Sequence, residues 1–130
     1  MGQTYLLDTN IIIYILNGTL QANQSADLIA ASANPIRISV ISKMELLGWN
    51  APNQQEAIAL KNFVENSIIE ALSDDIVDKT IEIKKSKRIK LPDAIIAATA
   101  LINNHILITR NESDFSSISG LTVVNPVTTI

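Results

Sequence analysis

At 130 residues, with 47% hydrophobic but only 4% aromatic side chains, the chain is sized for one domain, residues 1–130, whose core must be built from Ile, Leu, Val and Ala. A core of that kind suits a parallel sheet covered by helices. There is no cysteine, which excludes disulfides, zinc-thiolate sites and thiol chemistry and fits a reducing compartment, and the net charge of -3 argues against nucleic-acid binding by overall basicity.

The chain opens on an apolar run, Tyr5-Leu6-Leu7, followed by the polar triplet Asp8-Thr9-Asn10, after which apolar residues resume at helical spacing. This predicts a buried strand ending at Leu7 and a helix from about Asn10 to Asn17, stopped by Gly18. The apolar run from Ile11 to Leu16 is far too short to span a bilayer. No basic leader with a long apolar core precedes it, and the myristoylation pattern that Met1-Gly2 would begin fails at Leu6, so a cytoplasmic protein without a membrane anchor is expected. A second helix is expected over 24–32, broken by Asn34-Pro35, then a short strand over 36–40. A helix over 41–48 with its cap at Ser42 follows, then a turn at 50–53 and a helix over 54–65. Residues 67–70 read as a third strand. Ser73, Asp74 and Asp75 then cap a helix over about 76–88, with acids at its start and bases at its end as the helix dipole favours. Leu91-Pro92-Asp93 opens another helix to about Asn103. A strand at 105–109, a helical turn at 111–115 and a strand at 121–124 complete the chain. Strands alternating with helices predict an α/β fold with a mostly parallel sheet.

Four carboxylates fall at similar places in this layout. Asp8 follows the first strand, Glu45 sits in the first turn after the second, and Asp114 sits in the turn after the fourth. In open α/β sheets, ligands bind at the carboxyl ends of the strands. Asp93 reaches that edge only if the helix from Ser73 first crosses back, which two consecutive helices between strands three and four permit. Each acid also has a structural reading: Ser42-x-x-Glu45 as a capping box, Asn111-x-x-Asp114 by similar logic, Asp93 as a dipole partner beside Pro92, and Asp8 or Thr9 as an N-cap. Gathered at one edge they repel: two unit charges ~4 Å apart cost about 4 kcal/mol at an effective dielectric of about 20. Such a cluster stays ionised only when cations compensate, and oxygen donors without His or Cys suit Mg²⁺ or Mn²⁺. The chemistry natural to that arrangement is metal-assisted phosphodiester hydrolysis.

Four segments resemble a known family: Leu6-Leu7-Asp8-Thr9-Asn10; Ser42-x-x-Glu45-Leu46; Leu91-Pro92-Asp93-Ala94-Ile95-Ile96-Ala97-Ala98-Thr99-Ala100; and Leu107-Ile108-Thr109-Arg110-Asn111-x-x-Asp114-Phe115. Together they resemble the PIN domain, and more narrowly the VapC-type toxins of bacterial toxin–antitoxin pairs, over nearly the whole chain. The resemblance implies a three-layer α/β/α sandwich around a central parallel sheet of about five strands. It implies Mg²⁺- or Mn²⁺-dependent endoribonuclease activity, a homodimer, and an antitoxin that blocks the site. Carried over by motif, the catalytic acids are Asp8, Glu45, Asp93 and Asp114, with Asp8 and Asp93 on the metal and Glu45 and Asp114 binding it directly or through water. Thr9, Asn10, Thr109 and Asn111 support them; Asn111 stands where some relatives carry another acid.

On the substrate side, Lys84, Lys85, Lys87, Arg88 and Lys90 make up half of the 10 Lys and Arg residues. They read either as a solvated helix end or as a phosphate-tracking patch leading toward Asp93, with Arg110 as a second RNA contact. Tyr14 and Trp49 are assigned to core, dimer or antitoxin contacts before base stacking, and His105 to a strand start. The apolar surplus suggests buried intermolecular surface around Ile12, Ile13 and Leu16 or around Leu46, Leu47 and Trp49. The rival readings are a PIN nuclease of RNA processing and a catalytically silent RNA- or partner-binding module. An aspartyl phosphatase wants a second Asp where Asn10 stands, and a receiver domain wants paired acids near its start.

Overall fold

The computed structural model describes residues 2–21, 23 and 25–126. Its elements run β1 (Thr4–Leu7), α1 (Thr9–Leu16), α2 (Ala26–Ser32), β2 (Arg37–Ser39), α3 (Val40–Gly48), α4 (Gln54–Glu65), β3 (Ile68–Glu70), α5 (Asp74–Ser86), α6 (Leu91–Ile102), β4 (His105–Ile108), α7 (Glu112–Phe115) and β5 (Val123–Val124). The expected start of the second helix, at Gln24, lies outside the described residues.

All pairings are parallel. One sheet has the order β1-β4-β5, with Leu6 opposite Leu107 and Leu7 opposite Ile108; β2 and β3 form a separate pair. The resemblance implies one central sheet of about five strands; five parallel strands are present, but among the described residues their ladders divide three and two. β2 packs beside β1 but carries only three residues before Ser39 turns the chain into α3, which leaves little extended backbone to bond with β1. Side chains join the two ladders instead. Thr4 Oγ1 lies 2.6 Å from His105 Nδ1, His105 Nε2–H donates to the Glu70 carboxylate, and Arg37 pairs with Glu70 at 3.5 Å.

Two apolar cores explain why β1 and β4 read as apolar runs rather than as alternating strands. Leu6 and Leu107 face one core with Ile76, Ile83, Ile96 and Phe115; Leu7 and Ile108 face the other with Ile11, Ile12, Leu28, Leu46 and Leu60. A strand covered by helices on both faces buries both sets of side chains. On the first face, Ala94, Ala97, Ala98 and Ala100 are wholly buried, so α6 packs there through small side chains around Ile96. α5 and α6 form the largest helix–helix contact.

Two local differences bear on the site. α3 starts at Val40 rather than Ile41, and its cap is Ser39, whose Oγ accepts from the Ser42 N–H at 3.1 Å. Ser42 therefore lies inside the helix. Asn111 precedes α7 without a side-chain capping bond, so the capping logic expected for Asn111-x-x-Asp114 is not used. At the end of α1, Gly18 adopts φ +82, the left-handed conformation that glycine enters without steric cost.

Candidate active site

Asp8 is where the β1–β4 ladder ends. Its N–H donates to Ile108 O at 2.9 Å, and the chain then turns into α1 with Asp8 as N-cap. Its carboxylate is fixed at both oxygens: Oδ1 accepts from Thr9 N–H at 2.8 Å and Oδ2 from the Thr109 hydroxyl at 2.8 Å. Only 4% of the residue is exposed. Burial pushes its pKa up to about 6; the nearby Asp93 and Glu45 charges push the same way, against the two hydrogen bonds. An anion held in place, yet costly to ionise, is a site that gains from a cation.

Glu45 and Asp93 are brought to Asp8 by different means. Thr9 Oγ1 donates to Glu45 Oε1 at 2.6 Å and lies 2.8 Å from Ser42 Oγ. A hydroxyl has one proton, so Ser42 donates to Thr9 and Thr9 to Glu45. Glu45 is thus positioned across α1 and α3 and does not close a capping box. Asp93 sits in the first turn of α6, whose last residues lead into β4 at the opposite, amino edge. Burial also raises the Asp93 pKa, followed by the charges of Asp114 and Glu45, with Lys90 pulling it down. Asp114, exposed on α7, completes the set through that coupling.

Asp8 feels the charges of Asp93 and Glu45, and Asp93 those of Glu45 and Asp114, so the four predicted acids, from four separate stretches of the chain, are linked pairwise through Asp93. Among the described residues, no three acidic or imidazole side chains stand close enough to form a ready ligand cage. The acids are neighbours, spread as like charges are.

The supporting residues divide. Thr9 and Thr109 bond to the acids directly; Asn10 Oδ1 accepts the Arg110 N–H at 3.4 Å, and Asn111 N–H donates to Thr109 Oγ1 at 3.0 Å. Of the basic run, Lys84, Lys85, Lys87, Arg88 and Lys90 are all exposed, and Lys84 Nζ donates to Ile89 O at 2.6 Å. Lys90, immediately before α6, is the member coupled to Asp93. His105 is buried at the start of β4 among Thr4 and Glu70, away from the acids. Sequence reasoning missed the role of Ser42, taking it for a cap; its spacing from Ser39 repeats the same pattern, so no local signal separates them.

A second feature is an apolar cleft lined by Ile13, Leu16, Asn17, Trp49, Glu56, Ala59 and Leu60. The expected surface residues Ile12 and Leu46 are instead core, at 0% and 2% exposure, while Ile13, Leu16, Leu47 and Trp49 are exposed. Among the described residues no helix is long and apolar enough to cross a membrane.

A parallel α/β fold with acids converging beyond its strand ends defines a class, and comparison with known proteins identifies it: the chain belongs to the PIN domain family, whose model matches residues 5–121. The solved structures it resembles include a toxin–antitoxin complex and VapBC proteins. A toxin–antitoxin complex from Klebsiella pneumoniae is 36% identical over 95% of this chain and 98% of that chain, with TM-score 0.74. VapBC2 from Rickettsia felis, solved with a promoter DNA fragment, is 27% identical over 95% and 98%, with TM-score 0.78. VapBC-1 from nontypeable Haemophilus influenzae is 26% identical over 95% and 98%, with TM-score 0.76. A comparison with curated protein sequences finds no match. The resemblance to VapC-type toxins read from the motifs thus holds in three dimensions.

Proposed function

We propose that this PIN domain is an Mg²⁺- or Mn²⁺-dependent endoribonuclease, the toxin of a toxin–antitoxin pair. The observation that carries the reading is the convergence of Asp8, Glu45, Asp93 and Asp114, with Asp8 raised to about 6 by burial and by two of its neighbours. The donor set fits the ion: it is all oxygen and negatively charged, without thiolate or imidazole. Asp8 and Asp93 would hold the principal ion, and Glu45 and Asp114 would hold it directly or through water. A divalent ion bound there supplies Lewis acidity to the phosphodiester and acidifies water. The chain's own residues orient and hold charge. Thr9 N–H and the Thr109 hydroxyl fix the plane of the Asp8 carboxylate, and the Ser42–Thr9 pair fixes Glu45, a carboxylate able to take a proton from an attacking water.

Incubation with total RNA tests this. Cleavage with Mg²⁺ or Mn²⁺, lost in EDTA and lost in Asp8→Asn at retained fold, is expected. Equal cleavage in EDTA, or full activity of Asp8→Asn, overturns it. An antitoxin partner is supported by the Klebsiella pneumoniae relative, which is a toxin–antitoxin complex. We assign the cleft beside α1 and α4 to the antitoxin. The remaining exposed apolar residues, Met44 and Leu47 among them, we assign to a homodimer, which a light-scattering mass of one chain at micromolar concentration would rule out.

A further inference from the structure

The loop after β4, tied to Asp8 through Thr109, carries a cation with no ion-pair partner among the described residues. Arg110 lies between Thr109, which donates to Asp8 Oδ2 at 2.8 Å, and Asn111, whose N–H donates to Thr109 Oγ1 at 3.0 Å. Its own N–H donates to Asn10 Oδ1 at 3.4 Å, so its backbone is tied to the strand-end site. Yet among the described residues the guanidinium pairs with no carboxylate and donates no hydrogen bond. It lies over the Tyr14 ring of α1, with Cζ 4.9 Å from the ring centroid.

A guanidinium is a strong partner for carboxylates, yet this one is engaged with a ring face rather than with any of the acids. Stacking on an aromatic face holds it by its plane and leaves the N–H edge unused. That edge is a planar fork of donors matched to two oxygens of a phosphate. A divalent ion at the acids offsets their charge, and a guanidinium on the adjoining loop adds a phosphate contact that the ion does not supply. The basic run is a different kind of surface. Its members are solvated, and Lys84 is already engaged with a carbonyl.

Resting on the ribonuclease reading above, we propose that Arg110, on the loop tied to Asp8, binds a backbone phosphate of the RNA and that Tyr14 is the positioning residue that holds its guanidinium in place for that contact. The contact acts in binding rather than in the chemical step.

Initial rates on a short single-stranded RNA, with Mn²⁺ and at several NaCl concentrations, test it. Arg110→Ala raises KM about tenfold, the loss of one charge-assisted contact, with kcat little changed. The slope of log binding against log salt becomes shallower by about 0.7, one phosphate of a single strand. Arg110→Lys, which keeps the charge but not the fork, falls between. Tyr14→Leu raises KM in the same direction, the conservative Tyr14→Phe recovers it by restoring the ring face, and Tyr14→Leu added to Arg110→Ala costs nothing more. Unchanged KM and salt slope in Arg110→Ala overturn the proposal, as does a loss confined to kcat. Weakened antitoxin binding with unchanged KM overturns it too, and makes the guanidinium a protein contact. Should Tyr14→Leu melt early, the comparison of Arg110→Lys with Arg110→Ala still decides. A wild-type chain that neither cleaves nor binds RNA removes the ribonuclease reading itself; normal cleavage by wild type and by Arg110→Ala alike removes only this inference.

Discussion

Asp8 is held in the form that its surroundings disfavour. Burial lifts its pKa from 3.8 to about 6, with Asp93 and Glu45 adding to the shift. The folded state therefore binds its proton more tightly than the unfolded chain, and between pH 3.8 and about 6 this residue's contribution to stability falls as pH rises, then levels off. The cost at neutral pH is on the order of 3 kcal/mol for a shift of about two units. Asparagine avoids that cost and keeps the shape: its Oδ1 can accept from Thr9 N–H, and its amide can donate to Thr109 Oγ1. In EDTA, Asp8→Asn should melt higher than wild type at pH 7, by ~10 °C, and the two should converge toward pH 4. Melting curves at stepped pH read this directly. A gap that is absent at pH 7, or widest at pH 4, contradicts the strained-anion account.

At the scale of elements, α3 and α1 carry the testable joints. Ser39 is wholly buried and caps α3 through the Ser42 N–H. Ser39→Ala should cost about 1 kcal/mol as a lost cap, somewhat more because the Ser42 N–H is then left unpaired. Because Ser42 and Thr9 hold Glu45, RNA cleavage measured well below the melting temperature should fall as well; a stability loss with full activity would detach α3's cap from the site. The sequence placed Glu45 at the correct edge but misread how it is held. Val40 and Ile41 are β-branched and prolong the strand pattern, and Ser39 and Ser42 offer equivalent caps three residues apart. Only the contact with Thr9, from another element, separates them. Helix rotation was hidden for the same reason: Ile12 and Ile13 are indistinguishable in sequence, and packing under α1 buries the first and leaves 36% of the second exposed. If the cleft takes the antitoxin, Leu16→Glu, at a rim position with 37% exposure, should weaken antitoxin binding at least tenfold while barely moving the melting temperature. Undiminished binding would place the antitoxin elsewhere.

In the whole molecule, the gathering of the candidate acids was legible because parallel strands end together. Asp8, Glu45 and Asp114 follow strands, so their convergence needed only the topology, and Asp93 needed one more inference, that α6 runs from the carboxyl edge back to the start of β4. The division of the ladders was not legible, since it turns on how early Ser39 ends β2. What the arrangement does to stability follows from its reach. The acids that feel one another's charge come from the start of α1 and from α3, α6 and α7, so an ion bound among them is bound to the fold and not to any one helix. Ligation that favours the folded chain adds RT ln(1 + [L]/Kd), about 2.7 kcal/mol at a hundredfold excess over Kd. Mg²⁺ or Mn²⁺ should therefore raise the melting temperature of wild type by several degrees. The same titration should leave Asp8→Asn unmoved, even though that variant starts from the higher melting temperature in EDTA. The two curves should close or cross as metal is added, and scanning calorimetry would show it. Parallel shifts in both proteins would mean that the ion binds somewhere other than the acids gathered at the strand ends.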